Sequence, residues 1–175
     1  YTYFLGHKIL VNSGVLIPRQ ETEQLVIETT LWIKKLFNGF EDFVLADVCT
    51  GSGCIALAMK KQFPGCEVYA SDISPEAIET AVDNAQGEQI CFLEGNLLEP
   101  FIKLGVKPEV LICNPPYTET KETIDEQTWK YEPHLALLAN PKTKFYEQIF
   151  QQIPLALNEK HWLAAFEIGE DMDKE

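Results

Sequence analysis

Apolar runs and amphipathic segments alternate strictly from Phe43 onward, and this alternation most limits the folds open to the chain. Short apolar runs with β-branched residues predict strands buried on both faces, and segments with helical periodicity predict the connecting helices. This pattern is typical of right-handed βαβ units, so we predict an α/β fold with a doubly wound, mainly parallel sheet. We expect Pro154 to interrupt or bend the last helix. The predicted strands are 43–48, 67–71, 90–93, 110–113 and 162–168, and the predicted helices are 53–63, 75–86 and 145–157.

The residues before this alternation have a different pattern. Gly6 and the cluster 12–14 separate short apolar runs, which predicts an N-terminal β-hairpin. Apolar residues then recur at helical spacing over 21–38, with acidic residues in the first turn and lysines in the last. We therefore divide the chain into a β-hairpin linker over residues 1–20 and one domain over 21–175.

Composition limits the classes of function. The 175 residues, of which 46% are hydrophobic, suit one domain with a sizeable core. The formal net charge of −13 argues against direct nucleic-acid binding, which normally depends on Lys and Arg neutralising phosphates. No stretch has the roughly eighteen uncharged apolar residues of a membrane span, and no signal or transit peptide is visible, so we expect no membrane association.

The five cysteines and three histidines give no sign of a metal site. The cysteine count is odd and most of the cysteines lie in apolar segments, which indicates buried, reduced thiols in a cytoplasmic protein. Cys49 and Cys54 lie far from other potential ligands, and the histidines are scattered. We expect neither a disulfide nor a bound metal.

The sequence Asn114-Pro115-Pro116-Tyr117 directly follows the predicted strand 110–113. The two prolines have no N–H group, so they end the strand pairing and keep the backbone extended. Asn114 therefore presents its amide at the carboxyl end of a central strand, where open α/β sheets bind ligands. Its planar acceptor and donors match another amide or amine, against which Tyr117 can pack.

A second site is predicted where strand 43–48 passes into its helix. The two glycines of turn 49–53 allow a ligand to approach the backbone closely, and Asp72, about twenty residues on, can accept hydrogen bonds from ribose hydroxyls. The turn matches neither a dinucleotide nor a phosphate-loop fingerprint and contains no basic residue, which suits the zwitterionic tail of S-adenosylmethionine. Asn96 and Leu97 would lie near the adenine. The predicted cofactor-binding residues are Cys49, Thr50, Gly51, Ser52, Gly53, Asp72, Asn96, Leu97 and Asn114.

Several segments together resemble the protein-(glutamine-N5) methyltransferases of peptide chain release factors, the HemK/PrmC type. The Asn-Pro-Pro-Tyr motif alone is shared with DNA adenine methyltransferases and indicates only the chemistry. The stretch Ile17-Pro18-Arg19-Gln20-Glu21-Thr22-Glu23 points to this particular family. The resembling segments are 15–23, 47–55, 72–77, 114–117, 132–137 and 166–169.

This resemblance implies a class I, Rossmann-like methyltransferase domain over residues 21–175, without the family's N-terminal helical domain and final strand hairpin. It implies methyl transfer from S-adenosylmethionine, leaving S-adenosylhomocysteine, to the side-chain amide nitrogen of the Gly-Gly-Gln glutamine of a release factor. That release factor would be the protein partner. The implied catalytic residues are Asn114, Pro115 and Tyr117, and the implied substrate-binding residues are Asn114, Pro115, Pro116, Tyr117 and Arg19.

Two other functions share part of this pattern. One is an adenine-N6 methyltransferase of nucleic acid, and the other is a non-catalytic S-adenosylmethionine-binding module. The chain also departs from the family, with Cys49 in place of a usual Gly, Gln20 in place of a Pro and Asn96 in place of a frequent Asp. We expect Cys49 to have ordinary φ and ψ angles, since only Gly adopts positive φ freely.

Overall fold

The N-terminal segment forms the predicted hairpin. Strands β1 (Thr2–Phe4) and β2 (His7–Ile9) pair antiparallel through a two-residue turn. Leu5 and Gly6 in that turn have positive φ angles of 47° and 80°, as tight hairpin turns require. The buried ends of the two strands, Phe4 and Ile9, pack into the core of the domain. The computed structural model describes residues 1–37, 42–158, 161–169 and 172.

The five predicted strands form one parallel sheet in the order β5-β4-β3-β6-β7. Helices connect successive strands and cover both faces, so the predicted doubly wound α/β fold is confirmed. The strands are β3 (Val44–Val48), β4 (Glu67–Asp72), β5 (Ile90–Glu94), β6 (Val110–Cys113) and β7 (Leu163–Phe166). The helices are α1 (Gln20–Leu36), α2 (Cys54–Gln62), α3 (Pro75–Ala85), α4 (Glu99–Leu104), α5 (Glu126–Tyr131) and α6 (Lys144–Ala156).

The two faces of the sheet have separate apolar layers. Ile112 packs on the side of the hairpin, α1 and α2 with Ile33 and Met59, whereas its neighbour Leu111 packs with Phe101 of α4 and Ile149 of α6. Successive strand residues point to opposite faces, so an uninterrupted apolar strand is stable only when both faces are covered. All four residues of β6 are buried for this reason.

The structure differs from the sequence prediction in four helices. Helices α4 and α5 were not predicted, because six residues are too few to show helical periodicity. Pro154 was predicted to interrupt or bend the last helix, and it does not interrupt it: Pro154 lies in the final turn of α6, which continues to Ala156. Helix α1 begins one residue earlier than predicted, at Gln20, and its predicted end at residue 38 lies outside the described residues.

No helix in the described part of the chain is long and apolar enough to cross a membrane.

Candidate active site

The sheet brings the ends of three predicted site strands to one edge. Val48 at the end of β3 lies level with Ser71 on β4 and Cys113 on β6. Asp72, the last residue of β4, and Asn114, the first residue after β6, therefore lie on either side of β3. The strand order reverses between β3 and β6, because β4 continues the sheet on one side and β6 on the other. Ligands of open α/β sheets bind at such a switch point.

The turn after β3 requires left-handed backbone at three positions. Cys49, Gly51 and Gly53 have φ angles of 61°, 53° and 77°. The expectation of ordinary backbone angles at Cys49 is wrong. The chain bends sharply as it leaves β3, so that the N–H of Thr50 donates to the carbonyl of Ser71 at 2.9 Å. This bond fixes the turn against β4, and Cys49 adopts the strained conformation that it requires.

Gly53 has a packing role in addition to its backbone angle. A Cβ atom built on Gly53 would lie 2.9 Å from Cβ of Ala81 on α3, so any side chain here would push α2 and α3 apart. Gly53 is the N-cap of α2 and lies behind the turn, outside the residues that line the cavity. Its predicted contact with the cofactor stays a prediction.

Asn84 of α3 holds the turn from behind and was not predicted. This fully buried side chain donates a hydrogen bond to the carbonyl of Ser52 at 2.9 Å. It also accepts from the N–H of Leu10 at 2.7 Å and donates to the carbonyl of Leu10 at 2.9 Å. The turn and the end of the hairpin are thus joined through one amide. Nothing in the local sequence distinguishes Asn84 from a surface polar residue of an amphipathic helix.

Asp47 lies fully buried beneath the turn. Its Oδ2 atom accepts from the hydroxyl of Thr50 at 2.5 Å and from the N–H of Ala56 at 3.0 Å. Its Oδ1 atom has no hydrogen-bond partner among the described residues. Burial raises the pKa of Asp47 to about 7, against the opposing effect of the two hydrogen bonds. Asp47 therefore stabilises the turn with a carboxyl group that ionises near neutral pH.

Asp72 joins the turn to the end of β4. One carboxylate oxygen accepts from the N–H of Gly51 at 2.9 Å, and the other accepts from the N–H of Ser74 at 2.9 Å, just before α3. Burial raises the pKa of Asp72, and these backbone hydrogen bonds oppose that rise. A carboxylate oxygen can accept more than one hydrogen bond, so each retains capacity for a ligand hydroxyl.

A cavity opens at this edge of the sheet. Eight of the nine predicted cofactor-binding residues line it: Cys49, Thr50, Gly51, Ser52, Asp72, Asn96, Leu97 and Asn114. Its other walls are largely apolar and include segment 14–18, residues 133–136 and Phe145 of α6, together with the polar Thr22 of α1. None of these wall residues was predicted to contact the cofactor. Asp72 is the only Asp, Glu, Lys or Arg side chain among the described residues that line the cavity.

The residues that follow β5 line one side of the cavity. Leu97 is buried and has a positive φ of 51°, and its carbonyl accepts from the hydroxyl of Ser71 at 3.1 Å. The side chain of Asn96 donates to Glu99 at 3.1 Å, at the start of α4. Both residues line the cavity, and their predicted contact with the adenine stays a prediction. The bond to Glu99 also gives Asn96 a role in the turn.

A chain of hydrogen bonds connects Asn114 to Glu167, the residue that follows β7. The Nδ2 atom of Asn114 donates to the hydroxyl of Thr22 at 3.1 Å, and that hydroxyl donates to Oε2 of Glu167 at 2.7 Å. The hydroxyl of Tyr117 donates to Oε1 of the same carboxylate at 3.1 Å. Neither Thr22 nor Glu167 was predicted as a site residue, although both lie in segments that carry the family resemblance.

Tyr117 lies beside the cavity and does not line it. Burial and the neighbouring carboxylate of Glu167 raise its pKa to about 12, so its hydroxyl stays protonated and donates. A Cβ atom built on Gly169 would lie 3.2 Å from the ring, so the ring lies against backbone there. Of the two prolines, Pro116 lines the cavity and Pro115 is buried behind it.

Arg19 forms an ion pair with the buried carboxylate of Glu132. Its guanidinium contacts Oε1 of Glu132 at 2.6 Å, and Oε2 of Glu132 accepts from the N–H of Ile17 at 3.0 Å. Glu132 therefore fixes the segment before α1 against the loop after α5. Arg19 does not line the cavity, and its predicted contact with the substrate stays a prediction.

Among the described residues, no three His, Cys, Asp or Glu side chains are grouped so that they could hold a metal ion.

Comparisons with known proteins show which proteins this chain resembles. Residues 23–131 match the methyltransferase small domain family. A relative from Bacillus subtilis (strain 168), named release factor glutamine methyltransferase, is 38% identical over 172 residues, which cover 95% of this chain and 59% of the relative. A relative of the same name from Staphylococcus aureus is 38% identical over 174 residues, which cover 97% of this chain and 60% of the relative. The chain thus spans about 60% of the length of the curated relatives it matches.

Solved structures give the same fold. The ribosomal protein L11 methylase of Lactobacillus delbrueckii subsp. bulgaricus superposes with a TM-score of 0.57 at 23% identity, covering 86% of this chain and 62% of that one. At this identity the superposition supports the Rossmann-like fold alone. The resemblance to release-factor glutamine methyltransferases that the sequence motifs indicate is confirmed by the names of the two relatives. By the extent of the family match, this chain belongs to the methyltransferase small domain family.

Proposed function

We propose that this protein transfers a methyl group from S-adenosylmethionine to the side-chain amide nitrogen of the Gly-Gly-Gln glutamine of a peptide chain release factor. The observation that carries the proposal is the position of Asn114, which lines the cavity and, at the same time, begins the Asn-Pro-Pro-Tyr segment. The names of relatives at 38% identity support the same acceptor.

The cavity suits S-adenosylmethionine chemically. Its largely apolar walls can cover an adenine ring, with Leu97 on one side, and Asp72 can accept hydrogen bonds from the ribose hydroxyls. The turn 49–52 provides backbone groups for the amino-acid tail. A pyrophosphate would meet Asp72 and no Lys or Arg among the described lining residues, whereas the cationic sulfonium is favoured there. The bound cosubstrate would supply an electrophilic methyl group and take the bonding electron pair on its sulfur.

The residues of this chain would act by alignment. An amide nitrogen is a weak nucleophile because its lone pair is delocalised into the carbonyl. Hydrogen bonds from its two N–H groups to Oδ1 of Asn114 and to the carbonyl of Pro115 would direct the nitrogen toward the methyl group. Holding two reactants in such an orientation is worth many orders of magnitude in effective concentration. Tyr117 would pack against the glutamine.

Proton transfer needs no strong base in this arrangement. The nitrogen becomes acidic only once the new N–C bond has formed, and its proton then leaves to solvent. Tyr117 is a poor base or proton shuttle near neutral pH, since its pKa is raised to about 12. The neutral phenol is consistent with a packing role.

Mass spectrometry of a release factor tests this proposal. The complete protein is incubated with S-adenosylmethionine and the release factor, and the peptide that contains Gly-Gly-Gln is sequenced by fragmentation. One added methyl group on the side chain of that glutamine is the expected result. Bound cosubstrate with no methyl on this glutamine would contradict the proposed acceptor.

A further inference from the structure

The side-chain amide of Asn114 can lie in two orientations that differ in chemistry. With Oδ1 toward the acceptor, it accepts from an N–H group; with Nδ2 toward the acceptor, it donates to an oxygen. Only the first orientation selects the nitrogen of a glutamine amide. The residues that decide the orientation therefore decide which end of the acceptor amide faces the methyl group.

The hydrogen-bond directions around Thr22 determine this orientation. A carboxylate accepts hydrogen bonds and has no hydrogen to donate, so the one hydroxyl hydrogen of Thr22 goes to Glu167 at 2.7 Å. Toward Asn114 the same oxygen can then only accept. Asn114 must turn Nδ2 to it, at 3.1 Å. Its Oδ1 atom is left without a partner among the described residues.

Glu167 is itself held on every side. Its N–H donates to the carbonyl of Cys113 at 3.0 Å. Because Cys113 directly precedes Asn114, this bond holds the backbone of Glu167 next to that of Asn114. The carbonyl of Glu167 accepts from the hydroxyl of Tyr146 at 2.7 Å, and its second carboxylate oxygen accepts from Tyr117. Glu167 is only 8% exposed. A carboxylate fixed in this way cannot release Thr22 to donate elsewhere.

We propose that Thr22 and Glu167 are positioning residues that lock the Asn114 amide with Oδ1 toward the acceptor and so select glutamine over glutamate. The inference rests on the proposed function. A glutamate carboxylate has no N–H and would meet two acceptors, Oδ1 of Asn114 and the carbonyl of Pro115. Sites built to pair with a particular polar group discriminate strongly against analogues that leave it unpaired.

Three variants at Thr22 and a neighbouring threonine separate positioning from packing. Thr22→Val keeps the shape and removes the hydroxyl, while Thr22→Ser keeps the hydroxyl. Thr29→Val is the matched control. Thr29 is equally buried on α1, and among the described residues its hydroxyl bonds only to the carbonyl of Leu25, at 2.7 Å. Each variant of the complete protein is tested for S-adenosylmethionine affinity by calorimetry and for methylation of a Gly-Gly-Gln release factor.

The expected result is a selective loss. Thr22→Val lowers kcat on the order of a hundredfold, the scale of a small misplacement of reactants, with the S-adenosylmethionine Kd unchanged. Thr22→Ser restores most of the rate, and Thr29→Val turns over like the parent. When a Gly-Gly-Glu and a Gly-Gly-Gln peptide compete, the ratio of their methylation rates rises about tenfold in favour of Gly-Gly-Glu in Thr22→Val. The reason is that the Asn114 amide, no longer held by Thr22, can turn and donate to a carboxylate.

Two results would overturn the inference by itself. One is Thr22→Val methylating like the parent protein, and the other is Thr22→Ser as slow as Thr22→Val with the same peptide preference. A parent protein that binds S-adenosylmethionine but leaves the Gly-Gly-Gln glutamine unmethylated would instead overturn the proposed function, and the inference with it.

Discussion

Asp72 and Gly51 are joined by a hydrogen bond of 2.9 Å from the backbone N–H of Gly51 to Oδ2 of the carboxylate. The bond ties the end of β4 to the turn after β3, across 21 residues of sequence. The carboxylate that the sequence assigns to the ribose therefore also shapes the turn assigned to the amino-acid tail. Loss of Asp72 should affect both halves of the predicted cofactor site together.

Asp72→Ala should weaken S-adenosylmethionine binding by about 2 kcal/mol, or roughly thirtyfold in Kd, the scale of losing a hydrogen bond to a charged group. Calorimetric titration measures this directly. Asp83→Ala is the control, since Asp83 is an exposed carboxylate on the neighbouring helix α3. An equal Kd in Asp72→Ala and the parent would place the ribose elsewhere in the cavity.

Asp47 should make stability depend on pH. Its pKa rises from 3.8 to about 7 on folding, because burial disfavours the charged carboxylate. Between these values the folded state keeps a proton that the unfolded state has released, so the free energy of unfolding falls as pH rises. The slope from this group reaches about 1.4 kcal/mol per pH unit. Its stabilising effect is complete below about pH 4 and lost above about pH 7.

Asp47→Asn is the variant that isolates this effect. Its amide oxygen can still accept from Thr50 and Ala56, but the side chain no longer ionises. Chemical denaturation at about pH 5 and about pH 7 should show a smaller loss of stability in the variant than in the parent. Asp83→Asn should keep the parent's slope. Parallel slopes for Asp47→Asn and the parent would mean that Asp47 does not change its protonation on folding.

Gly53 and Gly51 should respond differently to alanine. Both have positive φ, which costs an alanine about 1 kcal/mol. A Cβ atom at Gly53 would also crowd Ala81 at 2.9 Å, whereas one at Gly51 meets nothing within 4 Å. Gly53→Ala should lower the free energy of unfolding by about 3 kcal/mol and Gly51→Ala by about 1 kcal/mol. Denaturant midpoints compare them, and equal losses would refute the packing role of Gly53.

Tyr117→Phe should keep most of the methylation rate. The hydroxyl donates only to Glu167, which still accepts from Thr22 in the variant. Its loss should cost about 1 kcal/mol of stability. Initial rates across neutral pH measure the effect on turnover, with Tyr117→Ala as the variant that also removes the ring. A hundredfold slower Tyr117→Phe enzyme would indicate that the hydroxyl takes part in chemistry.

Sequence alone predicted the sheet and eight of the residues that line the cavity at its edge. Buried parallel strands have short apolar sequences, and their carboxyl ends lie at one edge of the sheet. The turn 49–53, Asp72 and Asn114 could therefore be placed together from the sequence. The Asn-Pro-Pro-Tyr segment was informative because prolines end strand pairing for a known steric reason.

The missed features depend on long-range contacts. Thr22 and Glu167 lie 145 residues apart, and neither lies in a local pattern that predicts their hydrogen bond. The left-handed backbone of Cys49 is imposed by the bond from Thr50 to β4, which outweighs the intrinsic preference of a cysteine. Apart from Phe145 of α6, the apolar walls named above come from loop segments, whose positions follow from packing more than from periodicity.

The central claim is that Asn114 aligns the acceptor and contributes little to cosubstrate binding. The most direct measurement pairs the S-adenosylmethionine Kd of Asn114→Ala with its rate of methylation of the Gly-Gly-Gln glutamine in a release factor. The account predicts a Kd close to the parent's and a rate lower by at least about a hundredfold. A rate close to the parent's, in a variant that binds S-adenosylmethionine normally, would contradict it.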